Sequence, residues 1–158
     1  MNTIRIFLPL LIGLTLASSC KKANLSDGDY LIFGHFYGEC GGEGCIEIFK
    51  LESNRLLEDS KDNYPDFSDF YDGDFQALDK AIFRKVRNLI DFFPVELLKE
   101  TDNIIGQPDA GDWGGLYIEY NYNGDREFWL LDQKKSNVPT YLHGFIDRVN
   151  EKIQLINN

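Results

Sequence analysis

Four groups of residues in this chain have the chemistry to make a site. Cys40 and Cys45 bracket a glycine-rich turn, and Asp59, Asp62, Asp66, Asp69, Asp72 and Asp74 crowd one short segment. Asp109 and Asp112 share a second glycine-rich stretch with Trp113, and the only histidines are His35 and His143. Cysteines at this spacing, in an oxidising compartment, most simply close a disulfide that staples the turn. So short a ring contributes only about 2 kcal/mol through loop entropy. Redox-active thiols fit less well, because the spacing is not C-x-x-C and no helix N-terminus lies there to lower a thiol pKa. A zinc site built from His35 and both cysteines would need thiolates and a fourth ligand.

The acidic segment is a candidate calcium site. Calcium takes six to eight oxygen ligands, and Asp66, Asp69, Asp72 and Asp74 around Gly73 offer carboxylates. The EF-hand alternation is absent, however. The simpler reading is a solvated loop, with Asp72 serving a turn and Asp74 capping a helix. Its aromatics, Tyr64, Phe67, Phe70 and Tyr71, either tuck beneath the loop as part of the core or form a patch for a protein or a sugar ring. Trp129 belongs to a strand and reads as core, whereas Trp113 lies in a loop and reads as a ligand contact.

Asp109 and Asp112 are two carboxylates on one irregular loop, the minimum for general acid–base work in a small hydrolase. Aspartates among glycines more often hold turns through backbone amides. No nucleophile-elbow G-x-S-x-G occurs, and no glycine-rich phosphate loop follows a strand and opens a helix. No catalytic residue is therefore assigned, and the chain reads as non-catalytic.

The elements that position these groups follow from periodicity. Residues 30–37, 45–51 and 56–59 read as strands, the first apolar on both faces. Residues 60–74 form the acidic loop. Apolar positions at Phe75, Leu78, Ile82, Val86, Leu89 and Ile90 predict a helix over 75–90 with Asp74 as its N-cap. Pro94 ends it and starts a short second helix to Lys99. Residues 101–115 are a loop. Strands 116–122 and 127–131 flank Asn123-Gly124, a strong hairpin signal. An amphipathic helix from Pro139 buries Leu142, Phe145, Ile146, Val149, Ile153 and Ile156. Strands, helix, hairpin, helix in that order predict an α+β fold: one antiparallel sheet of about five strands with two main helices on one face.

The N-terminus supplies an address. Arg5 precedes an apolar run from Ile6 to Leu16, far short of the ~20 residues that span a bilayer. It reads as an export signal over residues 1–19. Leu16-Ala17-Ser18-Ser19-Cys20 resembles a bacterial lipobox, which would make Cys20 the acylated (palmitate-bearing) first residue of the mature chain. Ala17 and Ser19 would also suit the ordinary signal peptidase. Acylation of Cys20 leaves an even pair of cysteines. Residues 20–28 then form a short tether to a single domain over 29–158, long enough for a hydrophobic core. The net charge of −10 repels phosphate backbones and argues against nucleic-acid binding.

The segments Cys45-Ile46-Glu47-Ile48-Phe49, Pro108-Asp109 through Gly114-Gly115 into Leu116-Tyr117-Ile118-Glu119, and Val138-Pro139 resemble those of small exported lipoproteins of Bacteroidetes-type bacteria. The resemblance covers most of residues 29–156 and implies kinship without an activity. The expectation is an envelope lipoprotein, outer-membrane attached through Cys20, that contacts another envelope protein or a glycan. Calcium binding is the alternative and a small hydrolase the third reading.

Overall fold

Tyr30–Phe36 (β1) carries apolar side chains on both faces, so it belongs inside a sheet covered on both sides. The computed structural model, which describes residues 25–158, places it so. Beside it run Ile46–Glu52 (β2) and Gly115–Tyr122 (β6), both antiparallel to it. Leu56–Asp59 (β3) and Phe75–Ala77 (β4) extend one side, and Asp125–Asp132 (β7) and Ile104–Ile105 (β5) the other. The seven strands lie in the order β4-β3-β2-β1-β6-β7-β5.

The α+β class and single sheet agree with the sequence reading, but the sheet has seven strands in place of about five, and it is not wholly antiparallel. The additional strands are short. β5 pairs in parallel with Leu130 and Leu131, and β4 pairs with β3. The helix expected over 75–90 is correspondingly shorter. Its first residues form β4, the helix proper is Lys80–Val86 (α1), and a 3-10 segment, Arg87–Phe92, follows. Asp79, not Asp74, caps α1 by accepting from the Ala81 amide at 2.5 Å. Phe75 sits at an i, i+3 spacing from Leu78, and its backbone is claimed instead by Asp59 across the sheet. Leu97–Lys99 is a single 3-10 turn, and Thr140–Leu142 is another that leads into the last helix, His143–Ile156 (α2).

Side-chain alternation sends Leu31 and Phe33 to one face and Ile32 and Phe36 to the other. The first face packs with Phe83 and Val86 of α1 and with Phe145, Ile146, Val149 and Ile153 of α2. The second packs Ile48, Tyr117 and Leu130 against Tyr71, which belongs to the loop between β3 and β4. Buried Lys152 of α2 ties the two helices by donating to the Lys85 carbonyl at 2.9 Å. Asn123 and Gly124 both have positive φ, 53° and 91°, the conformation of the two-residue turn their sequence predicts. Asp29, buried, accepts from the Asn123 amide at 2.8 Å and so fixes that turn to the start of β1.

Gly34 lets β1 and β2 meet. A Cβ there would lie 2.0 Å from the Glu47 carbonyl oxygen and 2.7 Å from Ile48 Cα, and backbone atoms in a central sheet cannot move aside. Gly34→Ala is therefore expected to destabilise the domain by about 3 kcal/mol or more, read as a lower urea midpoint. A loss below about 1 kcal/mol would mean that the two strands separate more easily than this packing implies.

Candidate functional site

The sheet face opposite the helices is covered by residues 60–74, and no regular element holds this cover. Asp59, at the end of β3 and buried, does so. One of its carboxylate oxygens accepts from the Asp62 amide (2.9 Å) and the Tyr71 hydroxyl (2.7 Å), the other from the Asp74 amide (2.5 Å). Ser60 N–H donates to the Asp74 carbonyl and closes the base of the loop.

From Tyr71 a chain of bonds crosses the sheet. The Tyr71 amide donates to the Tyr117 hydroxyl at 2.9 Å, which donates to Glu119 at 2.6 Å. Glu119 is wholly buried and also receives the Tyr30 hydroxyl (2.9 Å) and Arg126 Nε (2.6 Å). Arg126 compensates the carboxylate, and its guanidinium lies 4.0 Å from the centroid of the Phe70 ring. Burial pushes the Tyr117 hydroxyl far above its ordinary pKa of 10.0, and the Glu119 charge adds to the shift. Tyr71 is raised likewise, by burial and by its bond to Asp59. Arg126 is raised by its hydrogen bond to Glu119.

The aspartates of the cover serve separate local bonds. Asp66 accepts from both the amide and hydroxyl of Ser68 at 2.7 Å, which lowers its pKa. Asp69 accepts from the Phe70 amide, Asp72 faces Lys61 at 3.5 Å, and Asp74 accepts from Ser60 and Gln76. Among the described residues, no three His, Cys, Asp or Glu side chains are grouped so as to hold a metal ion. Of the loop aromatics, Phe67 is half-buried against Phe36 and Tyr64. Phe70 is half-buried against Phe128 with ring centroids 5.2 Å apart, and Tyr71 is buried.

Asp109 reaches across to the end of β1. Its Oδ2 accepts from the Gly38 amide and the Tyr64 hydroxyl, both at 2.8 Å, while Oδ1 is buried without a partner. The Asp109 amide donates to the Gly114 carbonyl and closes the loop. Asp109, Gly111, Asp112 and Gly114 all have positive φ. The tight turn this builds holds Trp113 outward, 60% exposed, with the Lys134 ammonium 5.6 Å from its ring centroid. Trp129, by contrast, is core, at 2% exposure. Cys40 and Cys45 form a disulfide, which excludes them as thiolate ligands or free thiols. His35 bonds the Gly44 carbonyl and lies 3.6 Å from Glu47; His143 bonds the Lys135 carbonyl. The export segment and Cys20 lie outside the described residues, among which no helix is long and apolar enough to cross a membrane.

Sequence reasoning did not single out the far end of the β6–β7 hairpin. There Tyr122 is 50% exposed and stacks on Tyr120, and Leu98 at 44% exposure lies beside them. With Asp125 and Glu127 they line a groove of about 200 Å³. The one signal available was the charged first half of β7, Asp125-Arg126-Glu127, ahead of its apolar second half. Comparison with known proteins finds no family model and no curated protein that matches this chain.

The buried tyrosine chain sets a pH dependence. The folded protein keeps the Tyr117 and Tyr71 protons where the unfolded chain releases them. Stability is thus unaffected by these groups below pH 10 and falls as pH rises above it. Tyr117→Phe removes the donor to Glu119 Oε2 and leaves the Tyr71 amide without an acceptor. It is expected to cost about 2–4 kcal/mol at pH 7 and to make the alkaline decline shallower. Urea unfolding of both proteins from pH 7 to 11 checks this; an unchanged alkaline slope would contradict it.

Proposed function

We propose that the protein is a lipid-anchored module of the cell envelope that works by binding, with Cys20 as the acylated residue and residues 29–158 as the binding domain. The observation that supports it best is the groove at the hairpin end, where Leu98, Tyr120 and Tyr122 leave apolar surface open beside Asp125 and Glu127. Exposed apolar surface rimmed by charge is the usual composition of a contact site. Trp113 offers a second exposed aromatic ring on the same molecule. The partner is another envelope component, a protein or a glycan, and the anchor holds the domain near it. Outer-membrane attachment follows the resemblance of the N-terminal segment to lipoprotein signals.

Cross-linking in the native envelope, followed by capture, tests the reading. The expected result is a specific partner lost on Tyr122→Ser together with Leu98→Ser, and an acylated Cys20 by intact mass. Recovery of nothing specific, with turnover of a substrate instead, would overturn it. An unmodified Cys20 would remove the anchor.

Calcium is the rival occupant of the acidic loop, but its carboxylates make separate local bonds and are not grouped around a common point among the described residues. Millimolar calcium is therefore expected to leave the unfolding midpoint where chelator leaves it. A ligand at 100 times its Kd would add about 2.7 kcal/mol, a shift of several degrees. Such a shift, abolished by Asp69→Asn and Asp72→Asn, would make the protein a calcium binder.

A further inference from the structure

We propose that the outer edge of β7 over residues 125–128 accepts an extended basic segment of a partner protein as an added strand. The inference rests on the binding reading above and names the partner's chemistry. It begins with backbone direction. Leu130 N–H donates outward, to the Asn103 carbonyl at 2.7 Å. Backbone groups in an antiparallel strand alternate in the side they face, with a period of two. Phe128 and Arg126 therefore also present N–H and C=O outward, away from β6. The neighbouring strand β5 pairs only with Leu130 and Leu131, so among the described residues no strand lies beyond Arg126 and Phe128.

The side chains beside this edge are arranged for alternate residues of an incoming strand. Tyr120 is opposite Glu127 and Tyr122 opposite Asp125, and these four line the groove of about 200 Å³ on the helix side. On the other side, Arg126, Phe128 and Phe70 border a second depression of about 300 Å³, which Asp102 also lines. Strand addition uses this combination: main-chain bonds for affinity, and pockets on both faces for successive side chains.

Charge selects the occupant. Arg126 is already paired with Glu119. None of Asp102, Asp125 and Glu127 has an ion-pair partner among the described residues. A lysine or arginine stem can lie along Tyr120 and Tyr122 and carry its cation to Asp125 and Glu127. A second copy paired through the same edge would set these acids against their own counterparts, and like charges directly opposed are destabilising. Acidic residues on the edge thus discourage self-association while admitting a basic strand.

The test titrates the purified protein with a blocked, fluorescent peptide of alternating lysine and valine. Three controls accompany it: the glutamate–valine counterpart, the lysine–valine peptide N-methylated along one edge, and Asp125→Lys with Glu127→Lys in the protein. The expected result is saturable binding of the lysine peptide and slowed amide exchange at Arg126 and Phe128 by NMR. The double charge reversal should weaken binding about tenfold or more, and N-methylation should abolish the amide protection. Binding without protection of those two amides would reduce the contact to surface charge and overturn strand addition. So would no binding at about 1 mM peptide, or dimerisation through this edge by sedimentation. Envelope capture of a partner indifferent to both charge reversals would leave the binding reading standing and remove this one.

Discussion

The structure depends on one constraint: β1 is apolar on both faces, so the sheet must be covered twice. The helices meet this on one side by ordinary amphipathic packing. On the other side no helix of the described residues lies, and an irregular segment does the work of one. A loop pressed on a core brings backbone amides that lose their water, and each needs an acceptor. Asp59 meets that need by gathering the Asp62 and Asp74 amides and the Tyr71 hydroxyl on one carboxylate.

The same solution recurs. Asp29 receives amides of Ser26 and Asn123, and Asp132 receives those of Gln107 and Lys134. Each of these carboxylates is buried, and each sits where a strand ends and a loop must be turned. Burying an ionised carboxylate is costly unless its oxygens are hydrogen-bonded, so each loop and its aspartate are stable only together. These three acids are thereby structural. What remains outward is available for recognition, and at the hairpin end it is placed beside exposed tyrosines.

Glu119 is the exception among the buried acids, because it bonds side chains rather than loop amides. Tyr30, Tyr117 and Arg126 converge on it from three strands of the sheet. Its bond to Tyr117 continues to Tyr71, whose amide donates to Tyr117 and whose hydroxyl donates to Asp59, so the cover, the sheet and the first half of β7 form one connected network. The orientation of β7 at its outer edge, where the proposed contact lies, is thus tied to the loop on that face by hydrogen bonds as well as by the packing of Phe70 on Phe128.

Strong local signals made part of this legible in advance. The hairpin at Asn123-Gly124, the two-faced apolar run of β1 and the stripe of α2 each reflect a physical preference that acts over a few residues. The Cys40–Cys45 disulfide belongs with them as the simplest of the readings the spacing allowed, because a five-residue separation across glycines brings the two sulfurs within reach. The short strands β4 and β5 were not legible, since two or three residues have no period and become strand only when β3 and β7 pair with them. The roles of Asp59, Asp109 and Glu119 were equally hidden. As types they are acids in loops or strands, and nothing local says which will be buried or whose amides they will accept. The sequence by itself determined the class of fold, the hairpin and the disulfide, which arise from short-range preferences. Only the tertiary structure decided which carboxylates became internal and which strand edge stayed open, because both depend on what distant segments bring alongside.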